Sequence, residues 1–317
     1  PRTSNLEVAI YQSILYELNF NKAILLSIIQ IFICLILLFF GFYKLKGSNY
    51  FDYKINNFIH PSRKIFYIKY IDYLIIIFFT SILFSPIIYI IIDFSKIFFN
   101  EKFFLKDYFI IATKNSFILS FMTAIIVTCF GLFTSILLIN FRKDIIKQQI
   151  LFSISSIILL ISPIIMSLGY FIILGELRYF SLITYIIIII INCIFLLPFA
   201  ILILFTKLKN IFLNYEDLKN SYRLKDYKFI IIIFPLIKNN LLYIFAFTTA
   251  ISFGDFTVIS FFKNETFETL PILLYKLISS YRFDEASFVA GFIFVFSLMI
   301  FLFFDNIFQK DKPVRNK

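Results

Sequence analysis

Long apolar runs separated by short charged segments set the pattern of the chain. Seven of these runs reach the length of about 20 helical residues needed to cross roughly 30 Å of hydrocarbon: residues 22–42, 71–92, 115–139, 150–174, 180–205, 237–259 and 288–308. Backbone polar groups in lipid must be satisfied within each segment, so the pattern predicts helices and not an open sheet. Pro86, Pro163 and Pro198 fall inside three of the runs, where a proline would kink a helix and free carbonyls. The expected fold class is all-α, a polytopic transmembrane helical bundle of about seven helices.

The pattern also repeats. Residues 6–40 and 268–304 each read as a short amphipathic stretch, a polar turn and a crossing. Tyr11 aligns with Tyr275 and Ala23 with Ala286, an offset near 264 residues. Self-similarity at a fixed offset marks duplicated architecture. Because Pro1 is not an initiator Met and no signal peptide precedes the first run, we expect an N-terminally incomplete chain that begins at the end of a first repeat. The expected organisation is residues 1–43 as the end of that repeat, 44–70 as a cytoplasmic linker, 71–308 as a second repeat with six crossings, and 309–317 as a basic tail. In the stretch Thr269 to Tyr281, the apolar positions Leu270, Leu273, Leu274, Leu277 and Ile278 fall at helical spacing, which reads as an interfacial helix at the outer surface.

Composition agrees with the membrane reading. Hydrophobic residues make up 61% of the chain and charged residues only 15%, with mean hydropathy +0.92, more apolar surface than a soluble core can hide. The net charge of +11 does not form a nucleic-acid patch, because the basic residues are spread over loops. Residues 43–70 carry Lys44, Lys46, Lys54, Arg63, Lys64 and Lys69 against Asp52 alone, and Arg142, Lys143 and Lys147 oppose only Asp144. The alternate loops are near balance, so the positive-inside rule places the basic loops, the segment around Glu216 and the C-terminus in the cytoplasm, with the residues before Lys22 outside.

Candidate chemistry is sparse. Cys34, Cys129 and Cys193 sit in apolar runs at no metal-ligand spacing, so neither a disulfide nor a metal site is expected. His60 precedes Pro61 in a loop without a carboxylate or serine partner, and no catalytic residue is assigned. No GxxxxGK[ST] run occurs that could cradle ATP phosphates. Two features remain. Residues 207–229 are charged and pass through Pro235 directly into an apolar run. Inside the spans, Ser162, Asn192 and Ser252 could line a pathway or serve as interhelical hydrogen-bond glue. Asp255, beside Gly254, lies about 25 Å along a helix from Lys238, near the outer rim. It is a candidate for facing a cation, or else a turn residue that satisfies backbone donors.

These residues carry a resemblance. Glu216-Asp217-Leu218 and Ile233-Phe234-Pro235 resemble the two ends of the cytoplasmic loop of binding-protein-dependent ABC permeases, although the glycine of that pattern falls at Tyr222 or Arg223. The stretch from Phe253 to Phe262, with Thr269 to Tyr275 and Ser280 to Ala286, is similar to the membrane subunit of thiamine and thiamine pyrophosphate ABC importers. The resemblance implies a type I ABC importer permease fold in a bacterial inner membrane. It also implies a separate ATPase subunit, a homodimer, docking on Tyr215, Glu216, Asp217, Leu218, Ser221, Tyr222 and Arg223, and a periplasmic binding protein delivering thiamine or its phosphates. No cofactor is implied. Two other classes stay open at this point: a permease for ferric iron or another small solute, and a membrane-embedded enzyme such as a lipid-linked transferase.

Overall fold

The computed structural model describes residues 5–45, 66–98, 106–141, 158, 161–174, 181–221, 226–262 and 267–310. Their regular structure is helical: α1 (Leu6–Leu15), α2 (Phe20–Leu45), α3 (Phe66–Phe98), α4 (Asp107–Asn140), α5 (Pro163–Leu174), α6 (Ser181–Ser221), α7 (Asp226–Phe253), α8 (Ile259–Phe262), α9 (Leu270–Ser279) and α10 (Phe283–Lys310). The chain is an all-α polytopic membrane bundle. Among the described residues, five stretches are long and apolar enough to cross a membrane: Tyr70–Ser95, Asp107–Asn140, Leu182–Phe212, Ile232–Phe253 and Phe283–Phe304. The remaining two expected crossings fall on α2, whose described apolar stretch is Phe20–Ile36, and on α5, preceded by residues 150–157 outside the described set.

Two boundaries differ from the sequence expectation, each for a local reason. The run at 150–174 breaks at Pro163, which opens α5 and does not kink a longer helix. At the first helical position proline loses nothing, since its missing N–H would be unpaired anyway. The run at 237–259 stops at Phe253. There Asp255 Oδ1 accepts from Thr257 N at 3.0 Å, Thr257 Oγ1 at 2.8 Å and Val258 N at 3.4 Å. A side chain that takes the backbone donors two and three residues ahead competes with helix continuation.

α4 is the central helix, packed along α6 and α7, while α10 joins α7 to α3. Close approach is set by small residues. A Cβ added at Gly131 on α4 would lie 2.8 Å from Ala200 Cβ on α6, and one at Gly291 on α10 would lie 2.5 Å from Phe94 Cβ on α3. In a bilayer, where lipid tails are as apolar as leucine, such backbone contact is a main source of helix association. The outward faces of α3 and α10 are apolar and exposed, as a lipid-facing surface requires.

α9 packs against the bundle. Leu270, Leu273 and Leu277 are buried against Phe109 and Ala112 of α4, Phe253 of α7, and Phe288 of α10. Ile278 is exposed. Hydrophobic spacing identified the helix, and Leu270, Leu273 and Leu277 of its apolar positions meet protein.

The two units aligned by sequence share geometry. In each, a ten-residue helix (α1, α9) precedes a turn and a long helix (α2, α10). Each turn holds a non-glycine residue at positive φ two positions before the long helix: Leu18 at 51° and Tyr281 at 58°. Ala23 N donates to Asn19 O at 3.2 Å and Ala286 N to Arg282 O at 3.0 Å, and both alanines are buried.

Candidate functional site

The site grows out of the break at the end of α7. α6 presents Asn192 and α7 presents Ser252; Asn192 Nδ2 donates to Ser252 Oγ at 3.2 Å, both side chains buried. The chain then leaves the helix through Gly254, and Asp255 turns back beside this pair. Together with Pro163 of α5, Phe195 of α6 and Phe256, these residues line a cavity of about 300 Å³. The volume is at the small end of ligand pockets, which run from roughly 300 to 1,000 Å³.

Asp255 divides its carboxylate between two tasks. Oδ1 accepts the three bonds beyond the end of α7, whereas Oδ2 is buried without a hydrogen bond of good geometry, the neutral Asn192 amide standing beside the carboxylate. A buried carboxylate oxygen without a donor costs several kcal/mol unless a cation or proton meets it. Among the described residues, no Lys, Arg or His lines the cavity. Asp255 shares the lining of this cavity with Asn192 of α6 and Ser252 of α7.

Of the other sequence candidates, Ser162 is separated from this group by its role at the start of α5. Its Oγ accepts from Ile164 N at 3.4 Å and its carbonyl from Ile165 N and Met166 N. The neighbouring Pro163, not Ser162, reaches the cavity. At the opposite end of α6, the helix continues unbroken from the apolar stretch through Tyr215 to Ser221, so Glu216, Asp217 and Leu218 are helical. Tyr215 is exposed. Tyr222 and Arg223 lie outside the described residues, and Pro235 is an exposed residue within α7. The two candidate regions are therefore ends of the same helix pair, α6 and α7.

Sequence reasoning passed over a second polar layer. Asn115 Nδ2 donates to Glu268 O at 2.7 Å, Tyr185 donates to Asn115 Oδ1, and Ser116 Oγ accepts from Leu270 N at 2.8 Å. These bonds tie α4 and α6 to the segment leading into α9. A polar pair inside the apolar run at 115–139 was the available signal. Nearby, Glu285 accepts from Lys106 Nζ at 3.2 Å and Tyr108 Oη at 3.0 Å and also pairs with Arg282, locking the α10 N-terminus to that of α4. Tyr11 of α1 packs edge-on to Phe261 at 5.8 Å. Burial pushes its phenol above the ordinary tyrosine range, with Tyr275 and Tyr16 adding to the shift and a Ser260 hydrogen bond opposing it. The aligned tyrosines Tyr11 and Tyr275 thus stand close together at the end of the bundle that carries α9.

No family model matches the chain. It is similar to the thiamine transport system permease protein ThiP of Haemophilus influenzae, 28% identical over 311 residues that cover 96% of this chain and 56% of that protein. The protein of the same name from Escherichia coli is 28% identical over 176 residues, covering 55% of this chain and 32% of that protein. That from Salmonella typhimurium is 26% identical over 167 residues, 52% of this chain and 31% of that protein. The chain spans little more than half the length of the Haemophilus influenzae protein.

Proposed function

We propose that the chain is the membrane-spanning, non-catalytic part of an ABC importer that carries thiamine or its phosphate esters across a bacterial inner membrane. The similarity over 96% of the chain to a thiamine permease carries the reading. The resemblance seen in residues 253–286 points the same way. In this reading the paired units α1–α2 and α9–α10 are the corresponding ends of two permease repeats, supported by their shared turn geometry.

The mechanical case rests on α6. It runs 41 residues without interruption, roughly 60 Å at 1.5 Å per residue, with charged residues at one end and Asn192 partway along its apolar stretch. A push on Glu216 to Ser221 would reach the cavity as a rigid displacement of α6 against α4 and α7, a change of the packed-helix shear kind. The ATPase supplying that push would dock on Tyr215, Glu216, Asp217, Leu218, Ser221, Tyr222 and Arg223, with Pro235 close behind the loop. The charged end and the C-terminus face the cytoplasm, and α9 faces the side from which a binding protein delivers substrate, as the loop charges argue.

Reversing charge at the docking segment tests this. In a Glu216→Lys, Asp217→Lys, Arg223→Glu variant, the ATPase subunit should no longer co-purify with the permease, and uptake of labelled thiamine should fall by about tenfold or more, since several charge-assisted contacts become repulsive at once. Retention of the ATPase together with unchanged uptake would overturn the coupling assignment. Stimulation of ATP hydrolysis by ferric iron and not by thiamine, each with its loaded binding protein, would overturn the substrate.

A further inference from the structure

We propose that the cavity between α5, α6 and α7 is an intramembrane way-station for a cationic aromatic ring, with the free oxygen of Asp255 as its counter-ion. The inference rests on the thiamine reading above and narrows it to the part of the substrate this chain recognises. Thiamine and its phosphate esters share one permanent charge, the quaternary nitrogen of the thiazolium ring; the phosphates hang from the far end of a hydroxyethyl arm.

Three observations carry the assignment. Asp255 Oδ2 is buried without a hydrogen bond of good geometry and has only the neutral Asn192 amide beside it to offset its charge, while the other oxygen of the same carboxylate is taken up by Thr257 and Val258. The same carboxylate lines a cavity of about 300 Å³. The rest of the lining supplies two aromatic rings, Phe195 and Phe256, and the Asn192–Ser252 pair, and among the described residues no cationic side chain. A carboxylate oxygen held inside a membrane protein without a partner is a functional candidate by default, and aromatic faces attract a desolvated cation. A phosphate would find no cationic partner in this lining. The cavity therefore reads the ring charge, which thiamine and its esters have in common, and holds phosphate no more tightly than hydroxyl.

Division of labour within Asp255 makes the test clean. Asp255→Asn retains an Oδ1 that can accept from Thr257 and Val258, so the turn can persist, while the free carboxylate oxygen becomes a neutral amide. The complete complex, with ATPase and binding protein, would be reconstituted in liposomes. Initial uptake would be measured for thiamine and for its neutral deaza isostere, in which carbon replaces the charged ring nitrogen. The binding protein's own preference cancels in the comparison of the two permeases. The ratio of thiamine to isostere uptake should fall by about tenfold in Asp255→Asn, the scale expected from removing a buried charge partner. Asp255→Glu should recover part of it. Melting temperature and elution volume of the purified complex check that each variant is folded.

Thiamine uptake by both permeases with the same ratio would overturn the counter-ion assignment and leave the transport reading standing. Wild-type thiamine monophosphate uptake well above that of thiamine, inhibited by inorganic phosphate and unaffected in Asp255→Asn, would also overturn it. No thiamine uptake by the wild-type complex would sink the transport reading and this inference together.

Discussion

Gly291 occupies the point where α10 crosses α3, and its hydrogen stands where a methyl group would collide with the Cβ and ring of Phe94. Because Phe94 Cβ is fixed to backbone, relief requires the helices to separate. Gly291→Ala should therefore destabilise the protein by about 1 to 3 kcal/mol, the usual cost of overpacking, read as a lower melting temperature in detergent. Gly169→Ala is the contrasting case. Nothing lies within 4 Å of a Cβ there, so alanine's better helix propensity should leave stability unchanged or raise it by up to about 1 kcal/mol. Both glycines look alike in sequence, each flanked by apolar residues. Asp255, by contrast, was conspicuous as an acidic residue in an apolar setting, yet only the bonds from Thr257 and Val258 show that one of its oxygens is committed and the other is not.

At the scale of elements, hydrophobic spacing located every long helix among the described residues but misjudged some of their ends. The break after Phe253 depends on a side chain competing for backbone donors, which hydropathy cannot register. The case of α9 is similar. Its leucines fall at the right spacing for either lipid or protein, and it is α4, α7 and α10 that bury Leu270, Leu273 and Leu277. The N-terminus of α9 is held from outside its own sequence, by Ser116 of α4 accepting the Leu270 N–H. Ser116→Ala leaves that buried donor without a partner, a loss of about 1 kcal/mol or more. Amide hydrogen exchange at the start of α9 should then speed up by about fivefold or more while that of central α4 changes little. Equal exchange in both proteins would mean that the bond contributes nothing to α9.

For the whole molecule, the arrangement to be tested is the direction in which the bundle sits. In the proposed orientation, argued from loop charges, the α9–α10 turn lies outside and the tail inside. A cysteine introduced at Tyr281, which is highly exposed, should react with a membrane-impermeant thiol reagent in spheroplasts, whereas one at Lys312 should react only after the membrane is opened. The reverse pattern would invert the bundle and with it the placement of the ATPase. Helical class, the approximate position of the crossings and the candidates Ser162, Asn192, Ser252 and Asp255 were legible from the sequence, because lipid demands long apolar helices and tolerates few exceptions. What only the folded chain decided is which exceptions meet. Asn192 lies 60 residues before Ser252, with Asp255 just beyond Ser252, and the three share a cavity because α6 and α7 pack side by side. Ser162, equally eligible by composition, is spent on starting α5. Hydropathy is a property of each segment by itself, whereas a site is a property of the faces that several segments turn toward one another.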